Sequence, residues 1–201
     1  MEPVISIRNL IAKYGDLTVL DDISVDIFPG EITVILGSSG CGKTTLLKNI
    51  LRLVEPASGS VKFWGEEILD LDDVQMEKIL RKLGVLFQSG ALLNSISVYE
   101  NISIPLELHT KLPRPLIDRI IQVKLNLVNL SEALYKFPSE LSGGMKKRAA
   151  LARAIALDPQ ILFCDEPSAG LDPLTAASLD ELILSLKKQL KMTIVVVTHE
   201  L

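Results

Sequence analysis

The stretch Gly37-Ser38-Ser39-Gly40-Cys41-Gly42-Lys43-Thr44-Thr45 decides the reading of this chain. The apolar run Ile32-Thr33-Val34-Ile35-Leu36 precedes it and reads as a buried strand. Leu46, Leu47, Ile50 and Leu51 follow at the spacing of one helix face. A strand, a glycine loop and a helix are the setting in which G-x-x-x-x-G-K-[ST] counts as a phosphate-binding loop. Glycines at 37, 40 and 42 let the backbone turn tightly and aim N–H groups at an anion. The helix N-terminus adds its positive end. Lys43 is expected to reach the outer phosphates of a nucleotide, and the Thr44 hydroxyl to bind Mg²⁺.

Upstream, residues 4–8 alternate as a half-buried strand, and Tyr14 follows in Lys13-Tyr14-Gly15. Residues 19–28 alternate again, with Leu20, Ile23, Val25 and Ile27 as inward positions, before the turn Pro29-Gly30. The links between these early strands are too short for crossover helices, so they read as antiparallel. Downstream, Ser58-Gly59 reads as a turn, residues 60–65 as a strand and residues 73–82 as a short helix carrying Val74, Ile79 and Leu80. The strand Gly84-Val85-Leu86-Phe87 delivers Gln88. From 89 to about 140 the character changes to helical patterns at 97–108 and 115–128, with Pro105, Pro113 and Pro115. A helix from about 143 to 157, a strand at 161–164, a helix at 173–190 and a strand at 193–197 complete the order.

Two further segments carry chemistry. Ile161-Leu162-Phe163-Cys164 is an apolar strand ending in Asp165 and Glu166, and a carboxylate at the end of a parallel strand faces the ligand crevice. Asp165 suits a nucleotide-bound Mg²⁺, and Glu166 suits polarisation of an attacking water. Leu141-Ser142-Gly143-Gly144-Met145 opens the next helix, with Ser142 as N-cap and two glycines exposing N–H groups, which makes a second anion site. Lys146, Lys147 and Arg148 read as a solvated helix face, and Cys41 and Cys164 as small packing residues.

In order and spacing, these segments resemble the ATP-binding subunit of ABC transporters along essentially the whole chain. Gly37–Thr45 corresponds to Walker A, Gln88 to the Q-loop, Leu141–Met145 to the signature with Met145 where Gln is commoner, and Ile161–Asp165 to Walker B. Glu166 corresponds to the catalytic carboxylate, residues 168–172 to the D-loop, His199 to the switch histidine and Tyr14 to the aromatic that stacks on adenine. The resemblance implies one cassette over residues 1–201. Its α/β P-loop NTPase core, with an N-terminal antiparallel β part, falls at about 1–88 and 158–201, and a helical subdomain is inserted at 89–157. It implies ATP held by Tyr14, Gly37, Ser38, Ser39, Gly40, Cys41, Gly42, Lys43, Thr44 and Thr45, and from a second copy by Ser142, Gly143, Gly144 and Asp172. Mg²⁺ would take Thr44, Gln88 and Asp165, and Glu166, His199 and Gln88 would serve hydrolysis. The implied partners are a second copy in a head-to-tail ATP sandwich and a transmembrane permease. The chain ends two residues after His199, short of the helix that covers such a strand, so a C-terminally short cassette is expected.

Composition agrees with that class. Lys plus Arg is 21, Asp plus Glu is 25 and the net charge is -4, with no basic stripe for nucleic acid. Mean hydropathy is +0.34, which buried strands and an apolar docking surface would explain. No apolar run approaches the length of about 18 residues that a membrane span needs. Met1-Glu2-Pro3-Val4 has no signal-peptide character, so a cytoplasmic chain is expected, and the resemblance implies that it is peripheral on the inner membrane. The two cysteines imply no disulfide framework.

The segments His109-Thr110-Lys111-Leu112, Leu141–Met145 and Lys147–Pro159 resemble the ATPases of Mla-type lipid transporters. That resemblance implies phospholipid cargo and an MCE-domain protein as a further partner. An importer of amino acids or another small solute is the alternative within transport. A soluble ABC ATPase of translation or DNA repair is the alternative outside it. Proteins of that kind usually carry paired cassettes, zinc modules or coiled coils, and this chain has none of these. A nucleotide switch without turnover is disfavoured by Glu166.

Overall fold

The computed structural model describes residues 2–199. In chain order the elements are β1 (Ile5–Tyr14), β2 (Leu17–Ile27), β3 (Ile32–Leu36), α1 (Lys43–Ile50), β4 (Ser58–Phe63), β5 (Glu66–Glu67), α2 (Asp73–Leu80) and β6 (Leu83–Leu86). They continue as α3 (Val98–His109), α4 (Arg114–Leu127), α5 (Gly143–Ala154), β7 (Ile161–Asp165), α6 (Pro173–Leu190) and β8 (Thr193–Thr198). The class is α/β, with an antiparallel sheet, parallel strand pairs and flanking helices. By packing, the residues up to Leu80 with those from Thr193 form one unit, and Arg81–Met192 form another.

In the first unit the antiparallel order β2-β1-β4-β5 follows from the short links between its strands. Ile5, Ile7 and Leu10 of β1 and Val61 and Phe63 of β4 are buried. Leu46, Leu47, Ile50 and Leu51 form the buried side of α1, as the spacing predicts. β3 pairs in parallel with β8, Ile32 opposite Ile194 and Leu36 opposite Thr198.

Three readings need correction in this unit. β3 is not a buried strand: Val34 and Leu36 are half exposed, because among the described residues β8 is its one partner strand. Ser58-Gly59 is not a turn but the start of β4, and the glycine is there for closeness. A Cβ at Gly59 would lie 2.6 Å from the Leu10 Cα. The turn comes later, at Trp64-Gly65, both with positive φ. On α2 the buried residues are Met76 and Ile79, while Val74 and Leu80 face outward.

In the second unit β6 and β7 pair in parallel, Leu83 opposite Ile161 and Leu86 opposite Cys164. β7 is buried along its whole length, as its apolar sequence dictates. A Cβ on Gly84 would collide with the Ala154 carbonyl oxygen, so this glycine lets β6 and the end of α5 touch. Ser97 caps α3 in a capping box with Glu100, and Asp172 caps α6 ahead of Pro173 at the first helical position. α3 and α4 fall within about a residue or two of the expected helices, and α6 matches its expected bounds.

Candidate nucleotide site

The glycine loop connects β3 to α1. Gly40 and Gly42 have φ of 80° and 99°, a region that glycine enters without strain. Gly42 also lies against β2: a Cβ there would come within 3.0 Å of the Val19 and Leu20 side chains. A Cβ on Gly37 would lie 2.5 Å from the Cys41 sulfur. The Lys43 ammonium donates to the Gly37 carbonyl at 2.7 Å and the Ser38 carbonyl at 3.0 Å, so it lies over the loop at the start of α1. No acidic residue occupies the first turn of α1, which leaves its positive end for an anion. Ser38, Ser39 and Thr44 are exposed and Thr45 is half buried. Cys41 is exposed rather than packed inside, whereas the buried Cys164 thiol is pushed up to about 12 by burial.

Strand register fixes where Tyr14 and His199 stand in the unit that holds this loop. Ala12 pairs with Leu20, which touches Gly42, and Tyr14 stands two residues further along β1 with its ring half exposed. Thr198 pairs with Leu36, so exposed His199 follows β8 just as Gly37 follows β3.

The second unit gathers its residues in two places. At the end of β7, Asp165 and Glu166 are 4% and 9% exposed. Glu166 adopts a φ of 47°, a left-handed backbone that costs a residue with a Cβ about 1–2 kcal/mol. Its carbonyl accepts from the Lys147 ammonium at 3.1 Å, and the same ammonium donates to the Gln88 carbonyl at 2.6 Å. The Gln88 side chain is exposed in the turn after β6.

Lys147 is thus no part of a solvated face. It is 6% exposed, and only Lys146 of the three basic residues is fully outward. Burial lowers its pKa, against the raising influence of Asp165 and Glu166. Arg153, one and a half turns further along α5, donates to the Gly90 and Ala91 carbonyls, each at 2.7 Å. Asn101 of α3 donates to the Leu93 and Ser97 carbonyls and accepts from the Leu93 N–H at 2.8 Å. Sequence reasoning missed all three. The available signal was that Lys147 shares a face with Gly144 and Leu151, a helical spacing of three and four.

The other gathering lies where α5 and α6 begin. Ser142 caps α5, its hydroxyl accepting from the Met145 N–H at 3.3 Å. Asp172 caps α6, accepting from the Thr175 N–H, and Thr175 lowers its pKa, through its side-chain hydroxyl first and its N–H second. Gly143 abuts Leu171 and Gly144 abuts Thr175. The Ser168 hydroxyl donates to Asp180 at 2.6 Å, fixing the loop before Asp172.

A sequence profile of the ABC transporter family matches residues 20–169, from β2 through Walker B. The chain belongs to the ABC transporter family. A probable ribonucleotide transport ATP-binding protein of Mycobacterium leprae is 43% identical over 99% of this chain and 57% of its own length. The intermembrane phospholipid transport system ATP-binding protein MlaF of Haemophilus influenzae is 44% identical over 98% of this chain and 75% of its own length. The chain therefore spans between about half and three quarters of these relatives. Among solved structures, the dimeric cassette MJ0796 bound to ADP and Pi is 31% identical, with a TM-score of 0.88 over 98% of this chain and 88% of that one. The cbiO1 subunit from Clostridium perfringens has a TM-score of 0.89 at 32% identity, over 100% of this chain and 80% of that one. The expected fold is thereby that of known ABC cassettes.

Proposed function

We propose that this ABC chain is the ATP-hydrolysing subunit of a membrane transporter, and that its transporter moves phospholipid. The observation that carries the ATPase reading is the glycine cradle under Lys43 at the start of α1, in a chain that the family profile matches over residues 20–169. Backbone N–H groups and the Lys43 ammonium hold the phosphates, and Tyr14 offers a flat face to the adenine. Thr44 in one unit offers a hydroxyl, and Asp165 and Gln88 in the other offer a carboxylate and an amide oxygen, each a hard donor of the kind that Mg²⁺ would take. Bound there, Mg²⁺ would supply charge neutralisation at the phosphates. Glu166 orients and deprotonates the attacking water, and His199 meets the outer phosphate.

Ser142, Gly143, Gly144 and Asp172 serve the second copy. α5 presents a capped N-terminus without an acidic residue in its first turn, a fitting anion receptor. Two copies related by a two-fold axis would each lend this end to the other's nucleotide, and charge-assisted hydrogen bonds would hold the pair together until hydrolysis removes them. The similar cassette MJ0796 is itself a dimer in its solved structure, which supports this pairing.

Cargo rests on likeness. MlaF of Haemophilus influenzae is named for intermembrane phospholipid transport. The segments 109–112 and 141–145 point the same way. The permease and an MCE-domain protein are the corresponding partners, with the chain on the cytoplasmic face of the inner membrane. No described helix is long and apolar enough to cross a membrane, and in this reading the permease links the chain to the bilayer. A methionine importer subunit from Clostridium tetani at 39% identity keeps small-solute import as the second reading. The test is recovery of the full-length protein from detergent-solubilised native membranes with identification of what accompanies it. A multi-span permease with an MCE-domain protein supports lipid transport. A permease with a solute-binding protein replaces the cargo, and ribosomes or DNA without membrane protein overturn the transporter reading.

A further inference from the structure

A buried ammonium is expensive unless its N–H groups are matched, and Lys147 spends its donors on main-chain carbonyls of Gln88 and Glu166. Neither bond secures α5 itself, whose first turn is already capped by Ser142. Both run to segments assigned to the reaction. Glu166 is held in the left-handed region, and such a conformation persists only where its surroundings over-determine it. Its carbonyl accepts from two donors, Lys147 at 3.1 Å and the Ala169 N–H at 3.2 Å. The loop after Gln88 is fixed to the same helix by Arg153, and Gly90 lies close enough for a Cβ to meet Ala150 at 3.3 Å. One rigid helix is therefore the common reference for residues 88–91 and for Glu166.

We infer that Lys147 is a positioning residue of the ATPase reaction, its ammonium clamping the Gln88 and Glu166 main chains to α5. This rests on the ATPase reading above. The clamp sets where the Glu166 carboxylate points without touching nucleotide. It also joins that carboxylate to the Gln88 turn, so that a displacement of the turn is felt at Glu166. Arg supplies donors of the same charge from the same position. Met keeps the unbranched stem as far as the ε position and loses every donor.

The experiment compares the full chain with Lys147→Met, Lys147→Arg and Lys147→Gln in ATP turnover, direct nucleotide titration and amide hydrogen exchange. Lys147→Met is expected to lower kcat about tenfold or more while nucleotide affinity stays within about twofold. Lys147→Arg is expected to recover most of the rate. Exchange is expected to rise together at Gly90 and Ala169, while the amides of α4 keep their protection. Unchanged kcat in the Met variant overturns the proposal. So does a fall in affinity and rate together with faster exchange throughout the chain, which marks a structural role only. Should Lys147→Met not fold, Lys147→Gln takes its place with the same expectations. Should the unaltered chain bind ATP without turnover, the ATPase reading falls, and the exchange at Gly90 and Ala169 alone decides the clamp.

Discussion

Gly144 and Thr175 meet with no room for a methyl group between them: a Cβ at 144 would lie 2.5 Å from the Thr175 Cγ2. At the neighbouring Gly143 the nearest atom is the flexible end of Leu171, at 3.3 Å. Alanine in a helix gains about 1 kcal/mol over glycine, whereas overpacking costs about 1–3 kcal/mol. Gly144→Ala should therefore lower the melting temperature by a few degrees, and Gly143→Ala should leave it unchanged or raise it. Thermal unfolding of the two variants side by side checks the ordering. The reverse ordering would mean that α5 and α6 do not approach as described.

Glu166→Gln should slow turnover by about a hundredfold or more while leaving nucleotide binding intact. With the interface formed and the water poorly activated, an ATP-bound dimer should accumulate. Size-exclusion chromatography with Mg²⁺ and ATP reads this directly. A nucleotide-loaded variant that elutes as a monomer in the presence of its membrane partner would count against the head-to-tail arrangement.

Lys43→Ala removes the ammonium that lies over the Gly37 and Ser38 carbonyls. Nucleotide affinity should fall by about tenfold or more, with little change in melting temperature. A titration with unaltered affinity would remove Lys43 from the phosphate site.

Asn49 of α1 is fully buried, and among the described residues neither its Nδ2 nor its Oδ1 has a hydrogen-bond partner. Asn49→Leu keeps a similar branched shape and removes the unmatched polar atoms. It should stabilise the fold by about 1–2 kcal/mol, or a few degrees in melting temperature for a chain of this size. Equal or lower stability would show that this amide is satisfied in solution.

Tyr99 donates to Asp118 at 2.5 Å and lies 5.0 Å beneath the Arg114 guanidinium. Burial, with the hydrogen bond to Asp118, raises its pKa to about 12. A folded value above the unfolded value of about 10 gives stability that is complete below pH 10 and lost as pH rises through 12. The difference between the ultraviolet titrations of the unaltered chain and Tyr99→Phe should show a midpoint near 12. A difference curve centred at 10 would mean that the Tyr99–Asp118 pair does not form.

Much of the molecule was legible because its signals are local. The glycine loop between an apolar strand and a helix face needs nothing beyond its own dozen residues, and α6 keeps the bounds read for it, 173–190. β3 misled because an apolar run says that a strand prefers burial, not how many strands flank it. Gly59 misled because a glycine that yields to a neighbouring backbone looks like a glycine that turns. Lys147 was hidden for a different reason. A charged residue in a basic run is read as solvated, and only the carbonyls of Gln88 and Glu166, distant in sequence, make its burial tolerable.

The left-handed backbone at Glu166 sets thermal endurance against turnover at a single codon. Glycine or asparagine would occupy that conformation more comfortably, and both would lack the carboxylate. A directed-evolution campaign that rewards heat resistance alone would thus be drawn toward discarding the catalytic group. Heat-hardened variants of this cassette should be sequenced at residue 166 before their durability is credited to better packing.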